Sequence, residues 1–266
     1  MRYPNTRAPK PLRASRGAVA LVLLLAIVAT SLGCTSESEV QKKAVKDGQY
    51  HFQLASNFFN EQMVPQALRE LLIAVETDPT NADVLHLLGF IYMGRRDYNR
   101  AIEYYQKAIE SREDFYICMN NLGTAYLAAE RWEDAIALYE DLVNKPMYNT
   151  PELAYNNLGW ALYKLGQQRR AADALEMAVF LQPRMCLAHN NLGLVRQEQG
   201  NPVGALRSYH TAIEKCPTYA EPHFHMALLL VQRGDPSARL YLQRCYELAS
   251  DASWGDRCRS YLEVAQ

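Results

Sequence analysis

The chain has 266 residues, 49% of them hydrophobic and 21% charged, a composition typical of a globular protein and not of a disordered one. Residues 1–33 hold five of the 28 basic residues and none of the 29 acidic ones, so the rest has 23 basic and 29 acidic residues, a net charge of −6. This balance leaves no basic stripe, and we expect no binding to nucleic acid.

Residues 1–33 are interpreted as a signal peptide. Basic residues precede an apolar run from Ala18 to Leu32, which is short for a bilayer span and suits a signal sequence. The run ends in SLGC, which resembles the lipobox of bacterial lipoproteins, although Leu stands two residues before Cys34 instead of three. The resemblance implies a lipid on Cys34, and the absence of Asp at the next position implies the outer membrane. The alternatives are an ordinary signal peptide with an incidental Cys, or an uncleaved anchor.

From residue 48 onward a small residue recurs at a nearly constant interval. Four of the five intervals are 34 residues, and the third contains two extra residues near Met147. We call these small residues the ladder residues: Ala55, Gly89, Gly123, Gly159, Gly193 and Ala227. An Ala follows twelve residues later in five copies and eleven later in the last. The pattern resembles the tetratricopeptide repeat, a helix–turn–helix unit of about 34 residues.

The resemblance implies an all-α fold, a right-handed superhelical solenoid of six tetratricopeptide repeats with a C-terminal capping helix. The ladder residues are small because the two helices of a unit cross there. One unit cannot bury its apolar face alone, so neighbouring units stack to form a continuous core. The predicted segments are a lipidated tether (34–47), six repeats (48–81, 82–115, 116–151, 152–185, 186–219 and 220–252) and the cap (253–266).

An asparagine pair precedes three of the ladder glycines in the motif NNLG. At about 100° per residue, positions six, three and two before a ladder residue, and one and four after it, share the helix face opposite the core. This groove face lines the concave groove of stacked repeats, where amides suit an extended peptide backbone. The alternative is that each amide bonds a neighbouring helix and braces the stack. The residues are Asn120, Asn121, Asn156, Asn157, Asn190 and Asn191.

The groove face of the first two repeats is apolar. Phe52 and Phe59 lie seven residues apart on one helical stripe, in addition to the core residues of that helix. Phe90 and Met93 occupy the same face of the second repeat. A second apolar face needs a partner, and an amphipathic helix or an apolar peptide suits it. The alternative is that the tether or the preceding turn covers these rings.

Five cysteines follow Cys34, an odd number, and none has a metal-binding or Cys-x-x-Cys spacing. An exported protein meets an oxidising compartment, so disulfides are allowed. One pair begins and ends the two antiparallel helices of a single repeat, and another lies at the last repeat helix and the cap. The predicted arrangement is Cys186–Cys216, Cys245–Cys258 and a free Cys118. The alternative is that all five are reduced core residues.

No motif in the chain indicates catalysis. Nucleophile-elbow, Walker and zincin signatures are absent from the sequence. The segment His223-Phe224-His225 is a poor metal site on a helix, because residues two apart point to different sides and His223 takes a core position. We therefore expect no enzyme activity, no cofactor, no metal and no small-molecule substrate.

A lipid-anchored chain of six such repeats resembles the pilotin lipoproteins of type IV pilus assembly, the PilF/PilW/Tgl family. The resemblance rests on the architecture: lipobox, short tether, repeats and cap. It implies an outer-membrane lipoprotein, facing the periplasm, that binds secretin subunits and promotes their assembly into a pore for pilus-dependent motility. On this interpretation Phe52, Phe59, Phe90 and Met93 grip an apolar secretin segment. The alternatives are a scaffold for β-barrel insertion and an adaptor for cell-wall enzymes, which differ in partner and not in architecture.

Overall fold

The computed structural model describes residues 39, 42–249 and 253–264. These residues form thirteen helices and no strand. The helices are α1 (42–60), α2 (Val64–Thr77), α3 (Ala82–Gly94), α4 (Tyr98–Ser111), α5 (Tyr116–Ala128), α6 (Trp132–Leu142), α7 (Pro151–Lys164), α8 (Gln168–Leu181), α9 (Cys186–Glu198), α10 (Pro202–Lys215), α11 (Ala220–Gln232), α12 (Ala238–Leu248) and α13 (Ser253–Val264). Within this part of the chain, no helix is both long and apolar enough to cross a membrane. Residues 1–33 and Cys34 lie outside the described residues, so the signal peptide and the lipid stay predictions.

Two compact units divide the chain, Met1–Pro79 and Thr80–Gln266. The described part of the first unit is the pair α1 and α2. The second unit contains five further helix–turn–helix pairs, from α3–α4 to α11–α12, and ends with α13. Six pairs and a final helix are what the repeat pattern predicts, so the all-α tetratricopeptide solenoid is confirmed.

In the first unit, α1 and α2 pack through small residues. Ala55 and Ala67 are fully buried in the core of the pair. A hydrogen bond of 2.8 Å joins His51 Nδ1 to the buried carboxylate of Glu70 across the two helices. Residues 42–47 already belong to helix α1, so the last part of the predicted tether is helical. That stretch contains three Lys and one Ala, which favour helix, and no Gly or Pro to end one.

The ladder glycines of the second unit lie where a large side chain of the second helix packs on the first. In three repeats this side chain is a buried tyrosine, at Tyr105, Tyr139 and Tyr209. A Cβ added to Gly89 would lie 2.6 Å from two ring carbons of Tyr105, closer than a carbon–carbon contact allows. The small residue is therefore a requirement of the close helix crossing.

Each repeat makes the turn between its helices with one residue in the left-handed backbone region, seven positions after the ladder residue. Glycine adopts this conformation without strain, whereas in a residue with a Cβ it destabilises the fold by about 1–2 kcal/mol. The six residues are Gln62, Arg96, Glu130, Gly166, Gly200 and Gly234. The turns of the first three repeats are therefore strained, and those of the last three are not.

Helix α13 closes the apolar end of the last repeat. A buried cluster joins it to α11 and α12, formed by Phe224, Ala227, Leu242, Cys245 and Cys258. The Trp254 ring of α13 packs against Phe224, with ring centroids 5.5 Å apart. The predicted capping helix is thus confirmed.

Candidate functional site

The predicted apolar site of the first unit lies on α1. Phe52 and Phe59 are both half-buried, so part of each ring stays open to solvent. The core of the pair is filled separately by Ala55, Leu71 and Ala74, which are fully buried. The two rings have the exposure that a binding surface needs, and their role in binding a partner stays a prediction.

Phe90 and Met93 lie on α3, in the second unit. Phe90 is 48% exposed and Met93 is half-buried, whereas Leu85 and Leu88 of the same helix are buried in the core. The four apolar residues predicted to grip one segment are thus divided between two units. Their joint action stays a prediction.

The asparagine rows lie on α5, α7 and α9. Asn190 is fully buried, Asn156 and Asn191 are 2% and 6% exposed, and the other three are half-buried. Helical spacing places all six on the groove face, but it does not report how closely neighbouring side chains cover that face. Little of the amide row is open to an extended peptide.

Two of the rows are joined to each other. Asn191 Nδ2 of α9 donates to Asn156 Oδ1 of α7 at 3.0 Å, and Asn156 Nδ2 donates to Asn157 Oδ1 at 3.1 Å. Asn157 Nδ2 in turn donates to the hydroxyl of Tyr139 on α6 at 3.0 Å. This chain of bonds links three consecutive repeats.

The remaining amides follow the same pattern. Asn121 Nδ2 lies 2.9 Å from His86 Nε2 of α3, in the preceding repeat. The hydroxyl of Tyr148, in the segment with two extra residues, donates to Asn120 Oδ1 at 3.4 Å. These contacts are those that the bracing alternative describes. Binding of a peptide backbone by the asparagines stays a prediction, and it has to compete with bonds already made.

A row of exposed apolar residues follows the groove face six positions before the ladder residues. Ile117, Leu153 and Leu187, on α5, α7 and α9, are 63%, 39% and 45% exposed. The sequence interpretation did not single them out, although the same helical spacing contains the signal. The most exposed groove-face positions of these repeats are therefore apolar.

His223 lies in the core as predicted, only 5% exposed, and burial lowers its pKa. His225, two residues on, is half-buried and stacks on Tyr209 with ring centroids 5.6 Å apart. The two imidazoles thus belong to different surroundings. Within the described ranges, no group of three His, Cys, Asp or Glu side chains is arranged to hold a metal ion.

Both predicted disulfides are present. The bond between Cys186 and Cys216 joins the start of α9 to the end of α10, and that between Cys245 and Cys258 joins α12 to α13; each has a Cα–Cα distance of 6.1 Å. Cys118 is free and fully buried. Burial raises the pKa of Cys118 to about 12, so its thiol stays protonated and unreactive at neutral pH.

Two matches to tetratricopeptide repeat families cover residues 80–144 and 156–220. The chain is a tetratricopeptide repeat protein. It is similar to the crystal structure of PilW, a type IV pilus biogenesis factor, with 20% identity and a TM-score of 0.69 over 79% of this chain and 97% of that one. The type IV pilus assembly protein PilF of Pseudomonas aeruginosa is 25% identical over 176 residues, 63% of this chain and 69% of that protein. The human intraflagellar transport protein 88 homolog is 26% identical over 136 residues. The aligned part is 48% of this chain but only 16% of that protein.

These similarities confirm the resemblance that the architecture predicts. Because the sequence identity to PilW is only 20%, the likeness to that structure shows the fold alone. Neither the fold nor these relatives indicate a catalytic protein, and stacked tetratricopeptide repeats present extended surfaces that bind protein partners.

Proposed function

We propose that this protein is an outer-membrane-anchored pilotin that binds secretin subunits and promotes their localisation and assembly in type IV pilus biogenesis. The observation that carries the proposal is the similarity to PilF and PilW, over 63% and 79% of the chain. The lipobox at Cys34 supports the anchor, because a multiply acylated cysteine would hold the repeats at a membrane surface. The function proposed is binding and not catalysis.

The secretin segment is proposed to pack on the apolar groove face of the first repeat, at Phe52 and Phe59. An amphipathic helix presents apolar side chains at i, i+3, i+4 and i+7, and such a face suits a stripe like Phe52 and Phe59. Burying a phenylalanine or methionine side chain stabilises by about 1.5–3 kcal/mol before the cost of association. Phe52 and Phe59 are thus proposed as anchors that supply part of the binding free energy, and Phe90 and Met93 of α3 as further apolar contacts in the second unit.

Photo-crosslinking in the native envelope tests the proposal. A benzophenone amino acid replaces Phe52 or Phe59 in the full chain, and Leu72 on α2, which is 37% exposed, is the apolar control on the other helix. We expect secretin subunits to be captured at Phe52 and Phe59 and not at Leu72.

Other results have defined meanings. Capture of a component of β-barrel insertion or of a cell-wall enzyme at the same two positions would remove the pilotin and keep the surface. Equal capture at all three positions, or none at Phe52 and Phe59, would remove the apolar site. In a deletion strain we expect loss of surface pili and of pilus-dependent motility.

A further inference from the structure

An acidic residue, Glu221, follows a row of three apolar residues at the same helical position. Six positions before the ladder residue, three consecutive repeats carry Ile117, Leu153 and Leu187, and the last repeat carries Glu221 at the same position of α11. Equivalent positions of neighbouring repeats lie on adjacent first helices, and packed helix axes are about 8–10 Å apart. A segment that lies along the apolar row therefore meets a carboxylate beyond Leu187.

The carboxylate of Glu221 accepts hydrogen bonds from two side chains and lies near a third. The hydroxyl of Tyr219 donates to its Oε2 at 2.9 Å, and Asn190 Nδ2 of α9 donates to its Oε1 at 3.2 Å. His225 Nε2 lies 3.4 Å from Oε1 and is charged only when protonated. Burial pushes the pKa of Glu221 upward, but the contacts with His225, Tyr219 and Asn190 outweigh it and the pKa is lowered. The group is therefore anionic at neutral pH.

The site holds one buried hydrogen-bond acceptor that the described residues leave unsatisfied. The Glu221 side chain is 23% exposed. Its ion-pair partner among the described residues is His225, which is charged only when protonated, and no Lys or Arg of these residues pairs with it. Carboxylates removed this far from water are usually paired with a cation. Asn190 is fully buried, and because its Nδ2 is committed to Glu221, its Oδ1 has no hydrogen-bond partner. Such an orphan acceptor in a buried position is uncommon and indicates a missing donor.

We propose that Glu221, which Asn190 holds through a hydrogen bond, binds a basic side chain, Lys or Arg, of a protein segment whose apolar side chain packs on Leu187. Leu187 and Asn190 are three residues apart on α9, so their side chains are neighbours on that helix. An ammonium group offers three donors and a guanidinium five, enough for both oxygens of the carboxylate. The partner surface is thus basic and apolar, the complement of an anionic site beside an apolar row. The identity of the partner as a secretin subunit rests on the proposed function.

A benzophenone amino acid at Leu187, in the full chain and in the native envelope, captures the segment that lies there, and mass spectrometry locates the crosslink. We expect a Lys or Arg within about three residues of the crosslinked position, since three extended residues span roughly 10 Å. That segment, made as a fluorescent peptide, is titrated with the purified protein. Glu221→Gln is expected to raise the Kd at least about tenfold, the size of a lost charge-assisted hydrogen bond.

Two controls separate binding from folding. Replacing the basic residue of the peptide by Gln leaves this protein unchanged, and we expect the same loss of affinity, with little further loss when it is combined with Glu221→Gln. Glu152→Gln is the control variant on this protein. It removes a half-buried carboxylate beside Leu153 on α7, in the repeat before that of Leu187, and is expected to leave the Kd unchanged.

Three results would overturn the proposal: no capture at Leu187, a captured segment without a nearby basic residue, or an unchanged Kd for Glu221→Gln. The same experiment separates it from the proposed function. A basic segment captured from a protein other than the secretin keeps the Glu221 site and removes the pilotin. Secretin captured at Phe52 with no capture at Leu187 keeps the pilotin and removes the site.

Discussion

The hydrogen bond from Asn191 to Asn156 tests whether the asparagine rows brace the stack. Asn191→Ala removes the Nδ2 donor on α9 and leaves Asn156 Oδ1, on a residue only 2% exposed, without that partner. A buried acceptor left without its donor costs about 1–3 kcal/mol. We therefore expect Asn191→Ala to lower the free energy of unfolding by about 2 kcal/mol and the Tm by about 4–8 °C.

A double-mutant cycle isolates the bond itself. Asn156→Ala on α7 removes the same acceptor and also the donation to Asn157 Oδ1 at 3.1 Å, so its cost is similar or larger. Because one bond is lost in both single variants, the double variant is expected to lose about 0.5–1.5 kcal/mol less than the sum of the two. Urea unfolding followed by circular dichroism measures the three free energies. Asn144→Ala is the matched control, since Asn144 is exposed and its Nδ2 donates to the nearby Glu140 carbonyl at 2.7 Å.

Hydrogen exchange provides a local measurement. In a solenoid each repeat contacts its neighbours, so a weakened contact between α7 and α9 lowers protection in those helices first. Strictly additive losses in the cycle, or a stability equal to that of the Asn144→Ala control, would refute the bracing role. The amides would then be available to a ligand, as the peptide-binding interpretation requires.

Glu130→Gly is expected to stabilise the protein by about 0.5–1 kcal/mol, because Glu130 is held at φ 56°. Gly200→Ala is expected to destabilise it by about 1 kcal/mol, because Gly200 is also in the left-handed region. Thermal melts measure both changes in Tm, and a change in the same direction for the two variants would contradict the turn strain. Cys216→Ser opens the 30-residue Cys186–Cys216 loop and is expected to lower the free energy of unfolding by about 3–4 kcal/mol. Urea unfolding of the variant and the wild type, with and without reductant, measures this loss. Equal stability of the variant and the wild type without reductant would refute it. Burial lowers the folded-state pKa of His223 below its unfolded value of about 6.5, so the stability due to the neutral ring is fully present above that pH and is lost as the pH falls through the folded pKa. We expect the Tm of His223→Phe to fall less than that of the wild type between about pH 7.5 and about pH 5, and an equal fall would show that another group titrates.

The contrast between Glu221 and Leu187 bears on how a groove of this kind selects a partner. An apolar row alone binds many sequences, because apolar contacts have little directionality. A carboxylate held at one end of the row by Tyr219 and Asn190 adds a directional requirement. In this arrangement the apolar side chains supply affinity and the anionic site at Glu221 sets the register of the bound segment.

Features set by local spacing were predictable from the sequence. The ladder glycines predicted the helix crossings, and Gly89 indeed faces the ring of Tyr105 with no room for a Cβ. The bridge Cys186–Cys216 followed from the ends of two antiparallel helices in one repeat. In both cases the contact is made within a single unit, whose geometry the repeat pattern already specifies.

The sequence by itself determined the repeat number, the crossing points and the face of each helix, because a helix has a fixed angle per residue and a unit has a fixed length. Only the tertiary structure decided which groove-face side chains are open. Asn191 meets an acceptor 35 residues away, on another helix, and Asn190 meets Glu221 31 residues away. Helical periodicity fixes a direction but not the distance to the next repeat. Side-chain packing between repeats sets that distance, and it leaves Ile117, Leu153 and Leu187 exposed while the amides beside them are occupied.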